Sequence, residues 1–138
     1  MKEPTEIIVT LPGGRRVDAQ VGAHVVHTDQ PIANGGADSA PSPFQLFLAS
    51  LGACAGIFVQ GFCAARKLST EGIRIVERPS FADDGTLTEV DLRLELPPDF
   101  PEKYRDALAK VAEQCSVKKA IAAQPKFTVH AEVASKAA

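Results

Sequence analysis

The sequence predicts an α+β domain in which mostly antiparallel strands surround one long helix. Two observations support this class. A long stretch without a charged residue runs from Pro43 to Ala65, and segments of alternating apolar and polar residues lie before and after it. The resulting order is three strands, a long helix, two strands, a helix pair and a last strand, which is typical of α+β proteins. We take residues 1–138 as one domain, because a chain of 138 residues can build a single hydrophobic core.

The residues before the long helix predict a hairpin, a third strand and a loop. Apolar residues alternate with polar ones on both sides of a Pro-Gly-Gly break, at Ile7, Val9, Leu11, Val17, Ala19 and Val21. This alternation is the period of a strand with one buried face. Val25 and Val26 indicate the third strand. Residues 29–42 are rich in turn-forming residues, so we expect a surface loop that leads into the helix.

The start of the long helix is well marked. Ser42 is the expected N-cap, Pro43 the first helical residue, and Gln45 completes a capping box. A membrane span, which needs about 20 apolar residues, is the alternative for so long a stretch without charge. Gln45, Gln60 and many small residues dilute its hydrophobicity, and the flanking strands need a core. We therefore expect a helix buried on all sides within a soluble domain that does not enter a membrane.

Two more strands, two short helices and a last strand are predicted after the long helix. Ile73 and Ile75 begin a strand, and a turn at residues 83–85 leads into the next one, which alternates apolar and charged residues. Asp99 and Glu102 predict the start of the first short helix, and the second follows it closely. In the last strand four apolar side chains are expected to point inward: Phe127, Val129, Ala131 and Val133.

Charge and cysteine content exclude several classes of function. The net charge is -2 and the pI is near 5.9, so there is no electrostatic reason to expect nucleic acid or an anionic membrane as a partner. The first residues, MKEPTEIIV, lack the apolar run of a signal peptide, and we expect a cytoplasmic protein. Three cysteines, an odd number, favour reduced or redox-active thiols over a structural disulfide framework.

Cys54 lies at the middle of the long helix and is the first candidate for chemistry. At about 3.6 residues per turn, Cys63 falls on the opposite face of the same helix, so these two thiols are not a local pair. We interpret Cys63 as structural. Cys115 can meet Cys54 only through the tertiary fold. From the residues alone, a small buried thiol without reactivity remains the alternative for each cysteine.

A metal site formed by cysteines and the histidines His24, His27 and His130 is a further possibility. Two histidines three positions apart on a strand point to opposite faces, and no C-x-x-C pair is present. The motifs of phosphate-binding loops and of serine hydrolases do not occur either. We therefore expect no metal and no cofactor.

Two segments together resemble a known family. APSPFQLFLASLGACAG places Cys54 in a long helix opened by Ser-Pro, and QCSVKKAI contains Cys115 and precedes the last strand. With the order of elements, these segments resemble the OsmC/Ohr superfamily, also called OsmC-like, over nearly the whole chain. The resemblance implies the OsmC-like fold, with antiparallel sheets around a long central helix. It also implies an intertwined homodimer with two active sites at the subunit interface.

The resemblance also implies thiol chemistry. In peroxidatic members, the cysteine that matches Cys54 attacks an organic or lipid hydroperoxide and becomes a sulfenic acid. The cysteine that matches Cys115 then forms a disulfide with it, and a dithiol reductant reopens the disulfide. An arginine of the first hairpin, matched by Arg15, stabilises the thiolate. Three aromatic residues of the helix are candidates for the apolar wall of a substrate pocket, or for core packing: Phe44, Phe47 and Phe58.

Two positions depart from the family pattern. Phe44 stands where peroxidatic members carry the glutamate that orients the arginine, and Ser116 replaces the proline after the second cysteine. Cys54 lies too far along its helix for the N-terminal dipole to stabilise a thiolate, so we expect a cation beside it. Arg15 and its neighbour Arg16 fit an exposed pair of hairpin charges equally well. The alternative function is a non-catalytic dimer that binds a small apolar ligand and has inert cysteines.

Overall fold

A three-stranded sheet opens the fold in the computed structural model, which describes residues 3–134. The strands are β1 (Ile8–Gly13), β2 (Arg16–Val21) and β3 (His24–Thr28). They pair antiparallel in the order β1-β2-β3, with Val17 opposite Thr28. Gly14, with a φ of 58°, allows the tight turn between β1 and β2. The predicted hairpin and third strand are confirmed.

A buried aspartate holds the loop between β3 and the long helix in place. Asp29 is 1% exposed, and its carboxylate accepts hydrogen bonds from the backbone N–H of Gln30 (2.7 Å) and from the backbone N–H (3.1 Å) and hydroxyl (2.6 Å) of Ser39. These bonds hold the pKa of Asp29 at about 2. The Asp29 N–H donates to the carbonyl of Pro41 at 3.2 Å. The loop is therefore closed just before the helix begins.

The long helix, α1 (Pro43–Ala65), has the predicted bounds and the predicted cap. The Ser42 N–H donates to Gln45 Oε1 at 2.9 Å, and the Gln45 N–H donates to Ser42 Oγ at 3.2 Å. Its C-terminus is closed by a hydrogen bond from the Leu68 N–H to the Cys63 carbonyl at 2.9 Å, while Lys67 has a φ of 56°. This is the Schellman pattern of helix ends.

Only one face of α1 is buried within the chain. The buried residues are Leu51, Ala55, Val59, Phe62 and Cys63, whereas Ala49, Ala53, Gly61 and the 62% exposed Ile57 lie on the other side. The prediction of burial on all sides is wrong for the single chain, because its other elements cover only part of the helix surface. With a mean hydropathy of 1.9, α1 is long and apolar enough to cross a membrane, as core helices of soluble proteins also are.

A second hairpin packs against α1. It consists of β4 (Arg74–Phe81) and β5 (Leu87–Glu95), which pair antiparallel with Glu77 opposite Leu92. The Ile75 side chain approaches the helix at Gly56, where an added Cβ would lie 3.8 Å from it. The small residues of α1 thus permit a close approach, and β4 is the element that uses it.

Glu77 brings a carboxyl group into the packing of β4 on α1. The helix passes close to it at Gly52, where an added Cβ would lie 2.7 Å from Glu77 Oε2. Glu77 Oε1 is buried and has no hydrogen-bond partner among residues 3–134. Burial raises the pKa of Glu77, and a backbone hydrogen bond with Gly52 partly opposes this rise. The ionised carboxylate is therefore destabilising at this position.

Replacing Glu77 with methionine is expected to stabilise the protein near neutral pH by about 1 kcal/mol, because it removes an unsatisfied carboxylate. We take the lower end of the usual range since Glu77 is only partly buried. On acidification toward the ordinary value of 4.5, native Glu77 binds a proton before the unfolded chain does, so the destabilising contribution of Glu77 falls and the advantage of Glu77→Met shrinks. Urea unfolding near neutral pH and near that value measures both effects. An advantage that does not change with pH would contradict this account.

The two short helices complete the core. The first, α2 (Arg105–Ala112), begins later than predicted, after a 3-10 turn at Glu102–Tyr104, and Asp99 does not cap it. Pro101 explains the difference, because the residue before a proline is disfavoured in the helical conformation. The second, α3 (Ser116–Ala122), follows Cys115 as predicted. The core lies between α1, α2 and the β4–β5 hairpin, and fully buried Leu108 of α2 belongs to it.

The C-terminal segment forms no strand among the described residues. Positions 123–134 have no strand partner, and Phe127, Val129 and Val133 are 85%, 94% and 98% exposed. The prediction of a last strand with inward side chains is therefore wrong for the single chain. The reason is that neither described sheet pairs with the segment. Its alternating apolar side chains therefore have no surface of the same chain to pack against.

Candidate active site

Cys54 lies at the edge of the buried face of α1, where the end of α2 and the start of α3 meet the helix. Packing of α2 against α1 sets this meeting point, since Leu108 and Ala112 are buried in the same cluster as Ala55. The short connection after α2 then brings Cys115 against the preceding turn of α1. The Cys115 thiol donates a long hydrogen bond to the Leu51 carbonyl at 3.9 Å. Two cysteines that are far apart in the sequence thus share one site.

The first backbone N–H of α3 points at the Cys54 sulfur. The Ser116 N–H donates to Cys54 Sγ at 3.3 Å, while Cys115 caps the helix by accepting the Lys118 N–H on its own sulfur at 3.4 Å. The first N–H groups of a helix have no partner within the helix. At this site they are available to a sulfur from another helix. The start of α3 therefore donates a hydrogen bond to Cys54. The dipole of α1 does not stabilise a Cys54 thiolate, because Cys54 lies far from the N-terminus of that helix.

These contacts lower the pKa of Cys54. The largest cause is a hydrogen bond from the Val117 backbone, and burial opposes it; hydrogen bonds from the Cys115 side chain and from the backbone and hydroxyl of Ser116 add to the lowering. No charged side chain of residues 3–134 is among the causes. The sequence predicted a cation beside Cys54, but in the described chain backbone N–H groups occupy that role.

Cys63 has the opposite environment. It is fully buried on the far side of α1, and burial raises the pKa of its thiol although the nearby Arg66 partly opposes the rise. A buried thiol of this kind is unreactive because its thiolate is disfavoured. The structural interpretation of Cys63 agrees with this environment.

Arg15 lies in the turn between β1 and β2 and is exposed. Its neighbour Arg16 makes a 4.0 Å contact with Asp18 of β2, which also accepts a 3.0 Å hydrogen bond from His27. Arg15 is not among the groups that act on Cys54 within the chain. A role for Arg15 at the thiol stays a prediction, and it would require the hairpin of a second subunit.

An apolar cavity of about 560 Å³ lies next to the cysteine pair. Leu51 of α1 and Cys115 form part of its wall, and Glu113 and Lys118 bring charge to its lining. The strand β5 contributes more of the wall than any other element, at Leu87, Thr88, Glu89, Val90, Leu92 and Leu94. Its dimensions and apolar wall are those of a small-molecule site. The alternation of β5 was visible in the sequence, but not the cavity that it lines.

The three predicted pocket phenylalanines differ in position. Phe47 lines the cavity. Phe44 is 48% exposed and packs its ring 5.5 Å from that of Phe47 and 6.2 Å from that of Phe81. Phe58 is partly buried one turn after Cys54 and is not part of the cavity wall. The structure thus places Phe47 and Cys115 in one cavity wall and Cys54 beside Cys115.

Comparisons with known proteins agree on one fold. The family model of the OsmC-like protein matches residues 35–130. A solved structure from Psychrobacter arcticus, named for osmotic stress induction and detoxification, aligns with a TM-score of 0.73 at 23% identity, over 87% of this chain and 90% of its own. An OsmC-like protein from Mycoplasma pneumoniae gives 0.68 and 17%, over 90% and 91%. No curated protein matches this sequence.

Some of the solved structures, among them the following one, also carry a name that refers to organic hydroperoxides. The organic hydroperoxide resistance protein OsmC from Legionella pneumophila aligns with a TM-score of 0.52 at 25% identity, over 87% of this chain and 91% of its own. The alignments therefore extend over nearly the whole chain in each case. The shared fold includes the long helix that carries Cys54.

Proposed function

The chain belongs to the OsmC-like protein family, and from this premise we propose that it is a thiol-dependent peroxidase that reduces organic or lipid hydroperoxides. A single observation carries the proposal: Cys54 Sγ accepts the Ser116 N–H at 3.3 Å directly beside Cys115, in an environment that lowers the pKa of Cys54. The nucleophile in such chemistry is the thiolate. The names of related proteins, which refer to organic hydroperoxide resistance, agree with this role.

In the proposed first step, the Cys54 thiolate attacks the terminal oxygen of the hydroperoxide. A sulfur–oxygen bond forms and the oxygen–oxygen bond breaks, so that Cys54 is oxidised to a sulfenic acid. The substrate is reduced and leaves as an alcohol after its alkoxide takes up a proton from water. The N–H groups that stabilise the thiolate favour this step by raising the fraction of ionised Cys54 near neutral pH.

In the second step, Cys115 resolves the sulfenic acid. Its sulfur attacks Cys54 Sγ, a disulfide forms, and the hydroxyl group leaves as water with the proton of the Cys115 thiol. A dithiol reductant then transfers two electrons by thiol–disulfide exchange, becoming a disulfide itself and returning both cysteines to thiols. The cycle uses no metal or other cofactor. Its position beside Cys54 supports Cys115 as the resolving thiol.

The cavity supports a bulky apolar substrate rather than hydrogen peroxide. Its wall is apolar at Phe47, at Leu51 and at the leucines and valine of β5, and Cys115 contributes to it. A hydrocarbon group bound there gains free energy by leaving water. Phe44, which packs on Phe47, and Phe58, one turn from Cys54, are proposed as additional substrate contacts when a second subunit completes the site.

A second copy of the chain is the proposed partner. The exposed stripe of α1, the outer residues of β1 and the apolar C-terminal segment are all left uncovered in one chain. One intertwined homodimer would cover these surfaces together, and it would bring the exposed Arg15 of one subunit toward Cys54 of the other. Such a dimer would be a soluble protein, and we propose that it acts in the cytoplasm.

One equivalent of cumene hydroperoxide added to the reduced protein tests this function. We expect rapid loss of two thiols and a Cys54–Cys115 disulfide, mapped by non-reducing peptide mass spectrometry. Protein whose thiols are first blocked with iodoacetamide is the control and should leave the hydroperoxide unchanged. If the folded protein keeps its free thiols under these conditions, the peroxidase proposal is wrong. The alternative is then a non-catalytic protein that binds a small apolar ligand in the cavity.

A further inference from the structure

The position after Cys115 carries a backbone donor that contacts the Cys54 sulfur. We propose that Ser116 is a positioning residue that activates Cys54, chiefly through its backbone N–H and secondarily through its hydroxyl group. This inference rests on the proposed role of Cys54 as nucleophile and explains how one chain stabilises the thiolate without a cation.

The geometry of α3 makes this N–H available. Ser116 is the first residue of the helix, and the helix begins with the carbonyl of Cys115, which accepts the Lys119 N–H at 3.1 Å. A donor at this position has no carbonyl partner within its own helix. It meets Cys54 Sγ at 3.3 Å instead. A hydrogen bond to an ionised acceptor is stronger than one to a neutral acceptor, so this contact favours the thiolate over the thiol.

The backbone at Val117 and Ser116, together with the Cys115 thiol, supplies the hydrogen bonds that stabilise a negative charge on Cys54, and no charged side chain of residues 3–134 adds to them. On α1, Cys63 lies on the opposite face. From β4, the Glu77 carboxyl meets the helix at Gly52, which is also on the far side. At the end of α2 and on α3, Glu113 and Lys118 line the cavity rather than contact the Cys54 sulfur. Of the titratable groups in residues 3–134, only Cys115 acts on Cys54, and the remaining causes are hydrogen bonds and burial.

Ser116 is also the position where the donor can be removed with the least disturbance. Proline is favoured at the first position of a helix, where its missing N–H costs no helical hydrogen bond. The preceding residue must then be extended, and Cys115 already has a φ of -59° and a ψ of 124°. Ser116→Pro removes the N–H and the hydroxyl, whereas Ser116→Ala removes the hydroxyl alone. Comparison of the two variants isolates the backbone donor.

The test is the rate of alkylation of Cys54 by iodoacetamide as a function of pH, measured peptide by peptide by mass spectrometry. In Ser116→Pro we expect the inflection for Cys54 to move to higher pH, with alkylation near pH 7 slower by roughly three- to tenfold. Ser116→Ala should show a smaller shift in the same direction. A profile of folded Ser116→Pro that coincides with that of the wild type would overturn the proposal.

A measurement on the wild-type protein covers the case in which Ser116→Pro does not fold. The amide proton of Ser116 should shift in NMR spectra as Cys54 ionises, and this shift should vanish in Cys54→Ser. A Ser116 amide that does not respond to pH would contradict the proposal. Neither experiment needs a peroxide. A shifted alkylation profile without oxidation by hydroperoxide would therefore reject the peroxidase function alone, and oxidation with an unchanged profile would reject the role of Ser116 alone.

Discussion

Cys54→Ser is expected to reduce hydroperoxide turnover to the uncatalysed background. A serine hydroxyl is not ionised near neutral pH, and its oxygen cannot accept an oxygen atom as sulfur does, so the first step has no substitute. Turnover is measured as loss of cumene hydroperoxide in the presence of a dithiol such as dihydrolipoamide. Retained turnover in folded Cys54→Ser would assign the chemistry to another thiol.

The other two cysteines provide matched controls for this result. Cys63→Ser should retain turnover, because Cys63 is buried on the opposite side of α1 and its pKa is raised. Cys115→Ser should still consume one equivalent of hydroperoxide, but the product should be a sulfenic acid on Cys54 that dimedone traps. A normal disulfide on Cys54 in Cys115→Ser would show that a different cysteine resolves it.

The combined substitution Phe127→Asp and Val129→Asp is expected to convert the protein from a dimer to a monomer. Both side chains are almost completely exposed in the single chain, and the proposed dimer would bury them. Burial of one large apolar side chain contributes about 1.5–3 kcal/mol, so loss of two should weaken association by more than about a hundredfold. Sedimentation equilibrium should give twice the chain mass of 14.6 kDa for the wild type and the chain mass for the variant.

Thr128→Asp is the matched control for the dimer. Its side chain would point to the other face of the paired strand, so the variant should remain a dimer. A wild-type protein that sediments as a monomer at micromolar concentration would contradict the proposed assembly. Turnover by such a monomer would show in addition that Arg15 of a second subunit is not required.

The helices and strands that could be predicted are those with local signals. The capping box of Ser42 and Gln45 marks the start of α1, and the Pro-Gly-Gly break marks the first hairpin. Each of these signals is formed by residues that are close together in the sequence, so it can be recognised without knowledge of the tertiary structure. Asp99 was misleading because Pro101 prevents the helix from beginning there. The last strand failed for a different reason: neither sheet of residues 3–134 pairs with the C-terminal segment, and local alternation does not reveal whether a partner strand is within reach.

The sequence by itself determined the order of elements as far as α3, the long apolar helix with Cys54 at its middle, and the presence of a second cysteine before a short helix. Its resemblance to a known family also indicated the pairing of those cysteines. Only the tertiary structure decided that the first N–H groups of α3 point at Cys54, that β5 forms the cavity wall, and that Glu77 is buried against Gly52. Each of these contacts joins residues that are distant in the chain. Their geometry depends on how α2 and β4 pack against α1, and no local pattern of residues encodes a distance between packed elements.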